Sequence, residues 1–579
     1  MGRRGDGTGD RNRTASAAQR DGTAEHCQAQ TGPARLKGRG MEETQVVIVG
    51  GGPVGLTLAV DLGRRGIRCV LVEQKSEPQF LPKMERCNAR TMELYRRMGL
   101  ADEIRAAGLS ADVPMDVFII LSMTRPPLLQ LKYPSIEETR RKIGEVNDGS
   151  LPLEPYQLIS QYTLEPLLKA AAEQLPAVSV RYGTEFLEFA EEEAAVVATV
   201  RQPDGTAARV RSAYLVGCDG GGSGVRKQLG IRLRGEGDIA RFRQGLYRCD
   251  ELYDRLPLGD GPGRGRHYLV ADEHATFLIM QDSKRYWTLH AAVETDWEMR
   301  RQFEETVGVP VRYELVYCGE WRQNLLLADN YGAGRVFLAG DAVHLVIPAG
   351  GLGMNTGVGD AVDLSWKLAA TLAGWGGPGL IRSYEIERRQ IGERNIGASR
   401  YASEGYQTWR RAFRPEIGDD TPAGAAARER LAASADREQR KVNEMNGAEL
   451  GYRYVDSPII DNLPGGPEHL FRDYRPTTWP GARLPHVWLA DGTPIQDHIP
   501  TTVYTLLRLN GRGGTDALEA AFRALGAPLA ILDVTSDAAR AVYERDLLLL
   551  RPDMHVVWRG DRPPDDPPAL AATAIGHGR

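Results

Sequence analysis

The sequence predicts an α/β fold: a Rossmann-like dinucleotide-binding domain with an inserted antiparallel-sheet domain, followed by a small α/β domain like thioredoxin. Three observations carry this. The apolar run Gln45-Val46-Val47-Ile48-Val49 leads into Gly50-Gly51-Gly52-Pro53-Val54-Gly55, which reads as strand, G-x-G-x-x-G turn and helix start. Between about Ile231 and Tyr317, apolar and polar residues alternate, as in a sheet covered on one face. After Tyr452, a strand, helix and strand are followed by a hairpin.

In the opening stretch, Gly50 permits the turn, Gly52 lets a pyrophosphate approach the backbone, and Gly55 lets helix and strand pack closely. The helix opened at Pro53 and Val54 turns its unpaired N–H groups and positive dipole end toward the phosphates. Glu73 ends the next strand, where a carboxylate binds an adenosine ribose. The following helix begins near Arg90, which is either a partner for a cofactor phosphate or a solvated charge. Residues 111–150 read as strands and irregular loop.

A chain of 579 residues has room for two or three domains with sizeable cores. Hydrophobic content of 42%, charged content of 26% and a net charge of −5 describe an ordinary globular protein with no reason to bind nucleic acid or an anionic membrane. The longest apolar stretch, residues 46–60, is broken by glycines and too short to span a bilayer. Cys27, Cys69, Cys87, Cys218, Cys249 and Cys318 show no metal-binding or dithiol spacing. They read as small buried residues in a reducing compartment, with cytoplasm the expected location and no metal expected. Residues 1–40, rich in Arg and Gly, lack the apolar core of a secretory signal and read as a disordered tail.

Gln161 opens another helix, and strands follow around 178–182, 194–201 and 208–211. The strand Ala213-Tyr214-Leu215-Val216-Gly217-Cys218 ends in Asp219-Gly220, with Arg226 in a short helix beyond. In the alternating region, Arg243, Tyr286 and Trp287 are candidates to roof a substrate, although core packing explains the aromatics equally well. His267, His274 and His290 lack metal-ligand spacing and read as ordinary polar or core residues.

A second informative block is Arg335-Val336-Phe337-Leu338-Ala339-Gly340-Asp341, followed by Pro348-Ala349-Gly350-Gly351-Leu352-Gly353-Met354-Asn355. A strand ends in Gly-Asp, and a glycine-rich loop then opens a helix with an apolar stripe. Asp341 can bond a polyol, and the helix start can face an anion. Residues 406–450 read as a solvated helical connector and 451–579 as the third domain, ending in a loose Pro-rich tail. The third domain has no cysteine and reads as structural or dimerising; a homodimer is compatible with it.

In this order the glycine fingerprint with Glu73, the Asp219-Gly220 strand end and the Gly340-Asp341 block resemble the group A flavoprotein monooxygenases. These are the single-component FAD aromatic hydroxylases related to para-hydroxybenzoate and phenol hydroxylases. The likeness spans residues 44–401, and the C-terminal region is similar to that of longer members, bacterial polyketide and indolocarbazole tailoring hydroxylases among them. It implies an FAD-binding domain over 41–405 with substrate-domain insertions near 110–155 and 231–320. It also implies tight non-covalent FAD, NAD(P)H as a transient co-substrate, and O2. The implied activity is hydroxylation of a phenolic or polyketide-type ring through a flavin C4a-hydroperoxide.

Site residues follow from the same resemblance. Gly50, Gly52, Gly55 and Glu73 correspond to the ADP site, and Arg90 and Gln161 to FAD contacts. Asp219, Gly220 and Arg226 correspond to the motif for FAD and nicotinamide handling. Asp341 corresponds to the ribityl ligand, and Pro348, Gly351, Leu352, Gly353, Met354 and Asn355 to the loop beside the flavin ring. Ile347 and Lys83 depart from the proline and arginine common in the family. No substrate base is evident. The competing readings are a flavin-bearing protein that sequesters or inactivates an antibiotic, or another flavin oxidoreductase on the same fold.

Overall fold

The computed structural model describes residues 41–257, 261–511 and 513–578; the expectations for residues 1–40, Cys27 included, lie outside them. Six strands form the first sheet, in the spatial order Gly332–Ala333, Val336–Leu338, Tyr214–Gly217, Val46–Val49, Cys69–Glu73 and Val178–Tyr182. All neighbours are parallel except the first pair. Val46–Val49 is buried throughout because both faces of a central parallel strand are covered. The helices Pro53–Arg64, Gln161–Glu173 and Gly353–Leu372 pack together with this sheet. Val196, Ala198, Val200 and Val210, from a four-stranded sheet spanning 185–212 with Glu42–Glu43 at its edge, join the same core.

A seven-stranded sheet runs in the order Glu314–Arg322, Arg241–Arg248, Tyr286–Ala291, Phe277–Met280, His267–Val270, Val117–Ile120 and Leu129–Leu131. It is antiparallel apart from the parallel pairing of His267–Val270 with Val117–Ile120. Side chains alternate across it. Tyr247, Tyr268, Leu278, Trp287 and Leu289 share one core with Met299, Phe303 and Val307 of the helix Asp296–Val307. At one end of the opposite face, Leu269 and Phe277 pack with Trp409, Leu431 and Ala435.

Three expectations are corrected here. Ile136–Glu145, within the stretch read as strands and loop, is a helix; Ser135 and Glu138 form a capping box at its start. The connector is not a solvated arm. The helices Pro378–Arg410 and Pro422–Glu438 bury Trp409, Ala427, Leu431 and Ala435 against the second sheet, using a narrow apolar stripe among many charges. Nor is the C-terminal tail loose: Pro567–Ala574 is a helix whose Ala571 and Ala574, with the following Ile575, are buried beside Trp366 and Leu380.

The C-terminal sheet has the order Leu529–Val534, Tyr504–Leu509, Leu547–Leu550 and Val556–Gly560, one parallel pair followed by antiparallel neighbours. It is joined to the first domain by buried charge. Arg551 donates to Asp363 and Glu387, each at 2.7 Å, and Arg483 grips Glu93.

Candidate functional site

The glycine turn closes as its spacing predicts. Gly50 has φ 110° and faces the Cys218 carbonyl so closely that a Cβ would collide with it. A Cβ on Gly55 would strike the Gly50 carbonyl, so only glycine lets this helix approach its strand. Gly52 differs, with open space above it and Glu165 Oε1 4.0 Å from where a Cβ would sit. Gly52 caps the Pro53–Arg64 helix without any side-chain bond, leaving the N–H groups at its start for an anion. Glu73 accepts from Gly51 N at 2.7 Å and Lys75 N at 3.0 Å, which fixes its carboxylate beside the turn.

The three blocks, far apart in sequence, meet at the ends of adjacent strands. Val54 fills the space that side chains on Gly340 and Gly357 would need. Asp219 accepts from Ser223 Oγ at 2.6 Å and Gly224 N at 2.7 Å, so it supports Ser223 as the cap of the short Gly224–Gln228 helix. Gly220 supplies the left-handed turn, φ 78°, that directs the chain into this cap. Arg226 donates to the carbonyls of Ala342 and Gly221, each at 2.9 Å, and ties this strand end to the Gly340-Asp341 turn.

Behind that turn lies a brace that no sequence motif announced. Asp360 Oδ2 accepts from Gly340 N at 3.0 Å and lies 2.9 Å from His344 Nε2, while Arg388 holds Oδ1 at 2.8 Å. Asp341 itself is solvent-accessible yet hemmed in by protein, a combination that belongs to a deep recess. Desolvation raises its carboxyl above the usual range, opposed by the charges of His344 and Lys83. Glu165, which Gln161 contacts at 2.5 Å, is likewise raised by burial.

The loop after Asp341 is held from below. Asn355 accepts from Asn88 N at 2.9 Å and donates to Gly351 O at 2.7 Å. Arg86 donates to Gly350 O at 2.6 Å and Glu449 at 2.9 Å. Gly350 and Gly351 both have positive φ, and Leu352 gives the Gly353–Leu372 helix no side-chain cap. The N–H groups around Gly353, Met354 and Asn355 therefore begin this helix open to a ligand, and Pro348 is exposed beside them. Two uncapped helix starts, a recessed aspartate and a glycine floor suit a pyrophosphate, a polyol and a flat polar ring in turn. The residues present fit FAD.

Two predicted residues, Arg90 and Arg243, are committed to other partners, and the two aromatics show the packing that was the equal alternative for them. Arg90 is buried and donates to Asp553 O at 3.0 Å, with Glu93 at 3.4 Å, so its guanidinium serves the C-terminal domain. Arg243 bonds Glu294 O at 2.5 Å and Asp296 at 2.6 Å, and Trp287 is fully buried; both lie on the face turned to the Asp296–Val307 helix. Tyr286 belongs to an aromatic cluster, its ring 5.3 Å from Phe80 and 6.0 Å from Tyr162.

The opposite face of the sheet, which reaches Pro82 and Glu85 through Gln244 and His267, carries two of the three histidines read as ordinary, His267 and His290; His274 lies in the turn between two strands. His267 Nε2 lies 3.0 Å from Glu85, which also binds Arg266 at 2.5 Å. Burial alone would raise Glu85, but Arg266 and His267 outweigh it and hold the carboxyl well below the usual range. His290 stacks on Phe277 with ring centres 4.4 Å apart, accepts from Trp321 Nε1 at 3.1 Å, and lies 3.4 Å from Gln244. Burial pushes its pKa down to about 3. Period-two alternation could have separated these faces in the sequence, but only the placement of the flavin loops says which face matters.

Residues 43–399 match the FAD binding domain family, and residues 477–576 match the aromatic-ring hydroxylase C-terminal family. The FAD-dependent monooxygenase apdD of Emericella nidulans is 32% identical, covering 92% of this chain and 90% of that protein. The tetracenomycin B2 monooxygenase-dioxygenase of Streptomyces olivaceus is 29% identical, covering 91% and 97%. Among solved structures, RebC with bound 7-carboxy-K252c superposes with TM-score 0.84 at 32% identity, covering 93% of this chain and 100% of that one. Aklavinone-11 hydroxylase with FAD and aklavinone gives TM-score 0.76 at 26% identity, with the same coverage. Both domains and nearly the full length agree, and the chain belongs to the FAD-binding aromatic-ring hydroxylases: it is an FAD-dependent aromatic monooxygenase.

Proposed function

We propose that this enzyme uses NAD(P)H and O2 to hydroxylate a polycyclic phenol, held between the Pro348-to-Asn355 loop and the sheet face bearing Gln244, His267, Phe277 and His290. FAD supplies the oxygen chemistry when bound; the chain supplies position, field and exclusion of water. The Pro53 helix start and Gly52 receive the pyrophosphate, with Glu73 at the ribose and Lys83 in place of Arg90 as the nearby cation. Asp341 receives the polyol, held in place through Gly340 and Asp360. The Gly353 helix start stabilises negative charge at the polar edge of the ring system. Glu85, kept ionised by Arg266 and His267, accepts a hydrogen bond from a substrate hydroxyl and raises electron density on its ring.

The observation that carries this reading is the link between the glycine loop and the sheet: Arg86 donates to Gly350 O at the start of an uncapped helix, and its neighbour Glu85 binds Arg266 and His267 of the sheet. The relatives named for tetracenomycin and aklavinone chemistry support a fused-ring substrate. A second glycine fingerprint for the nicotinamide is absent from the sequence, which supports a transient encounter with that co-substrate. The test is NADPH and NADH oxidation by the yellow holoenzyme with a panel of mono- and polycyclic phenols under 18O2. A fused-ring phenol that accelerates oxidation and leaves heavier by one labelled oxygen supports the reading. Ligand binding without accelerated oxidation would favour a sequestering protein.

A further inference from the structure

His290 and Gln244 are each fixed in orientation by a neighbour, and together they present two donors with no acceptor between them. An indole N–H only donates, so the 3.1 Å contact from Trp321 Nε1 makes His290 Nδ1 an acceptor. An imidazole accepting at Nδ1 is neutral and carries its proton on Nε2. Gln244 is fixed from the other side, because its Nε2 lies 2.5 Å from the Pro82 carbonyl, which only accepts. The amide therefore turns its N–H group, not its oxygen, toward His290.

The remaining contact, His290 Nε2 to Gln244 Nε2 at 3.4 Å, then sets one donor beside another. No carbonyl or carboxylate among the described residues accepts from His290 Nε2. Phe277 stacks on the ring 6° from parallel and holds its plane. Both side chains are half-buried, as cross-strand partners on the sheet face that also carries His267 beside Glu85. The Gln244 amide has a second N–H beyond the one given to Pro82, and two donors this close without a shared acceptor suit a single oxygen, as paired donors do in acyl-transfer sites.

We propose that His290 and Gln244 form a binding site for an unprotonated oxygen of the substrate, a ring carbonyl, so that the preferred substrates are phenols carrying a conjugated ketone or quinone. The site rests on the hydroxylase reading above and narrows its substrate class. Glu85 lies near enough to influence His290 electrostatically and accepts where these two donate, so the wall distinguishes a hydroxyl from a carbonyl on one molecule.

The test is calorimetric binding of 8-hydroxy-1-tetralone and of 1-naphthol to the oxidised holoenzyme, with flavin content measured separately. His290→Phe keeps the stack on Phe277 and removes the donor. It should weaken the ketone about tenfold, the loss of one neutral hydrogen bond, and change 1-naphthol less than twofold. Trp321→Phe keeps the imidazole and releases its tautomer; it should weaken the ketone at least threefold and leave 1-naphthol unchanged, which decides the matter if His290→Phe does not fold. Equal losses for both probes, no loss for the ketone, or no binding of the ketone to the parent enzyme would overturn the site. A colourless protein that refuses FAD overturns the hydroxylase reading instead.

Discussion

Replacing Arg483 with methionine removes the guanidinium that engages both oxygens of Glu93 at the junction of the FAD and C-terminal domains. The two side chains are 0% and 2% exposed, so water cannot take over. Glu93 keeps only Leu153 N at 2.9 Å and Arg90 at 3.4 Å. Stranding a buried carboxylate in this way costs roughly 3–5 kcal/mol, a large share of the stability of any folded domain. The assay is urea unfolding followed by circular dichroism and by release of flavin, comparing midpoints at constant slope. Glu93→Leu combined with Arg483→Met removes both charges, and it should cost several kcal/mol less than the two single changes added together. The pH dependence has a definite sign. Burial would raise the Glu93 carboxyl, but Arg483 overrides it and lowers the folded value below 4.5. The pair therefore stabilises above that pH and its contribution fades as pH falls through the folded value. The margin of the parent enzyme over Glu93→Gln should narrow in acid. A single-variant cost under about 1 kcal/mol, or strict additivity, would refute the reasoning.

Gly55→Ala should abolish retention of flavin, because the new methyl meets the Gly50 carbonyl, whereas Gly222→Ala, with nothing within 4 Å, should retain it; the ratio of flavin to protein absorbance decides. Burial raises the thiols of Cys69 and Cys87 to about 12, so at pH 8 roughly one in ten thousand is ionised. Peptide mass spectrometry should find both unlabelled by iodoacetamide in the native enzyme and labelled in urea. Deleting residues 567–579 uncovers the wall formed with Leu570, Ala571, Ala574 and Ile575 and should cost roughly 3–6 kcal/mol, read as a lower thermal midpoint; an unchanged midpoint would mean the helix only rests on the surface.

What could be read from the sequence was backbone that has little choice. Gly50 and Gly55 stand where any side chain would strike a carbonyl, so their spacing alone identifies the turn. Asp341 and the glycines after it were readable for the same reason, since a strand ending in a turn leaves few alternatives. Side chains that act across long sequence distances left no comparable trace. Arg90 sits at a helix start suited to a phosphate, but its partner is the carbonyl of Asp553, 463 residues away. The burial of Ala427, Leu431 and Ala435 was hidden by charge density, because one residue in four suffices to dock a helix. Trp287 and Arg243 attracted notice by their chemistry, yet they lie on the face opposite His290 and Gln244. Alternation sorts residues into two sets without saying which set faces the ligand.

That division bears on how such an enzyme varies its substrate. In the proposed reading, cofactor binding rests on open N–H groups at two helix starts, on glycine backbone and on Asp341, features that tolerate little change. The opposing wall is a sheet, where each strand presents alternate positions and a substitution need not move the backbone. Phe277, His290 and Gln244 come from three different strands, and Trp321 and Pro82 orient the last two by single hydrogen bonds. Substituting a wall residue alters what the recess recognises, whereas substituting an orienting residue alters only how sharply it does so. Loss of His290 should therefore change which substrate binds, and loss of Trp321 should blur the preference without reversing it.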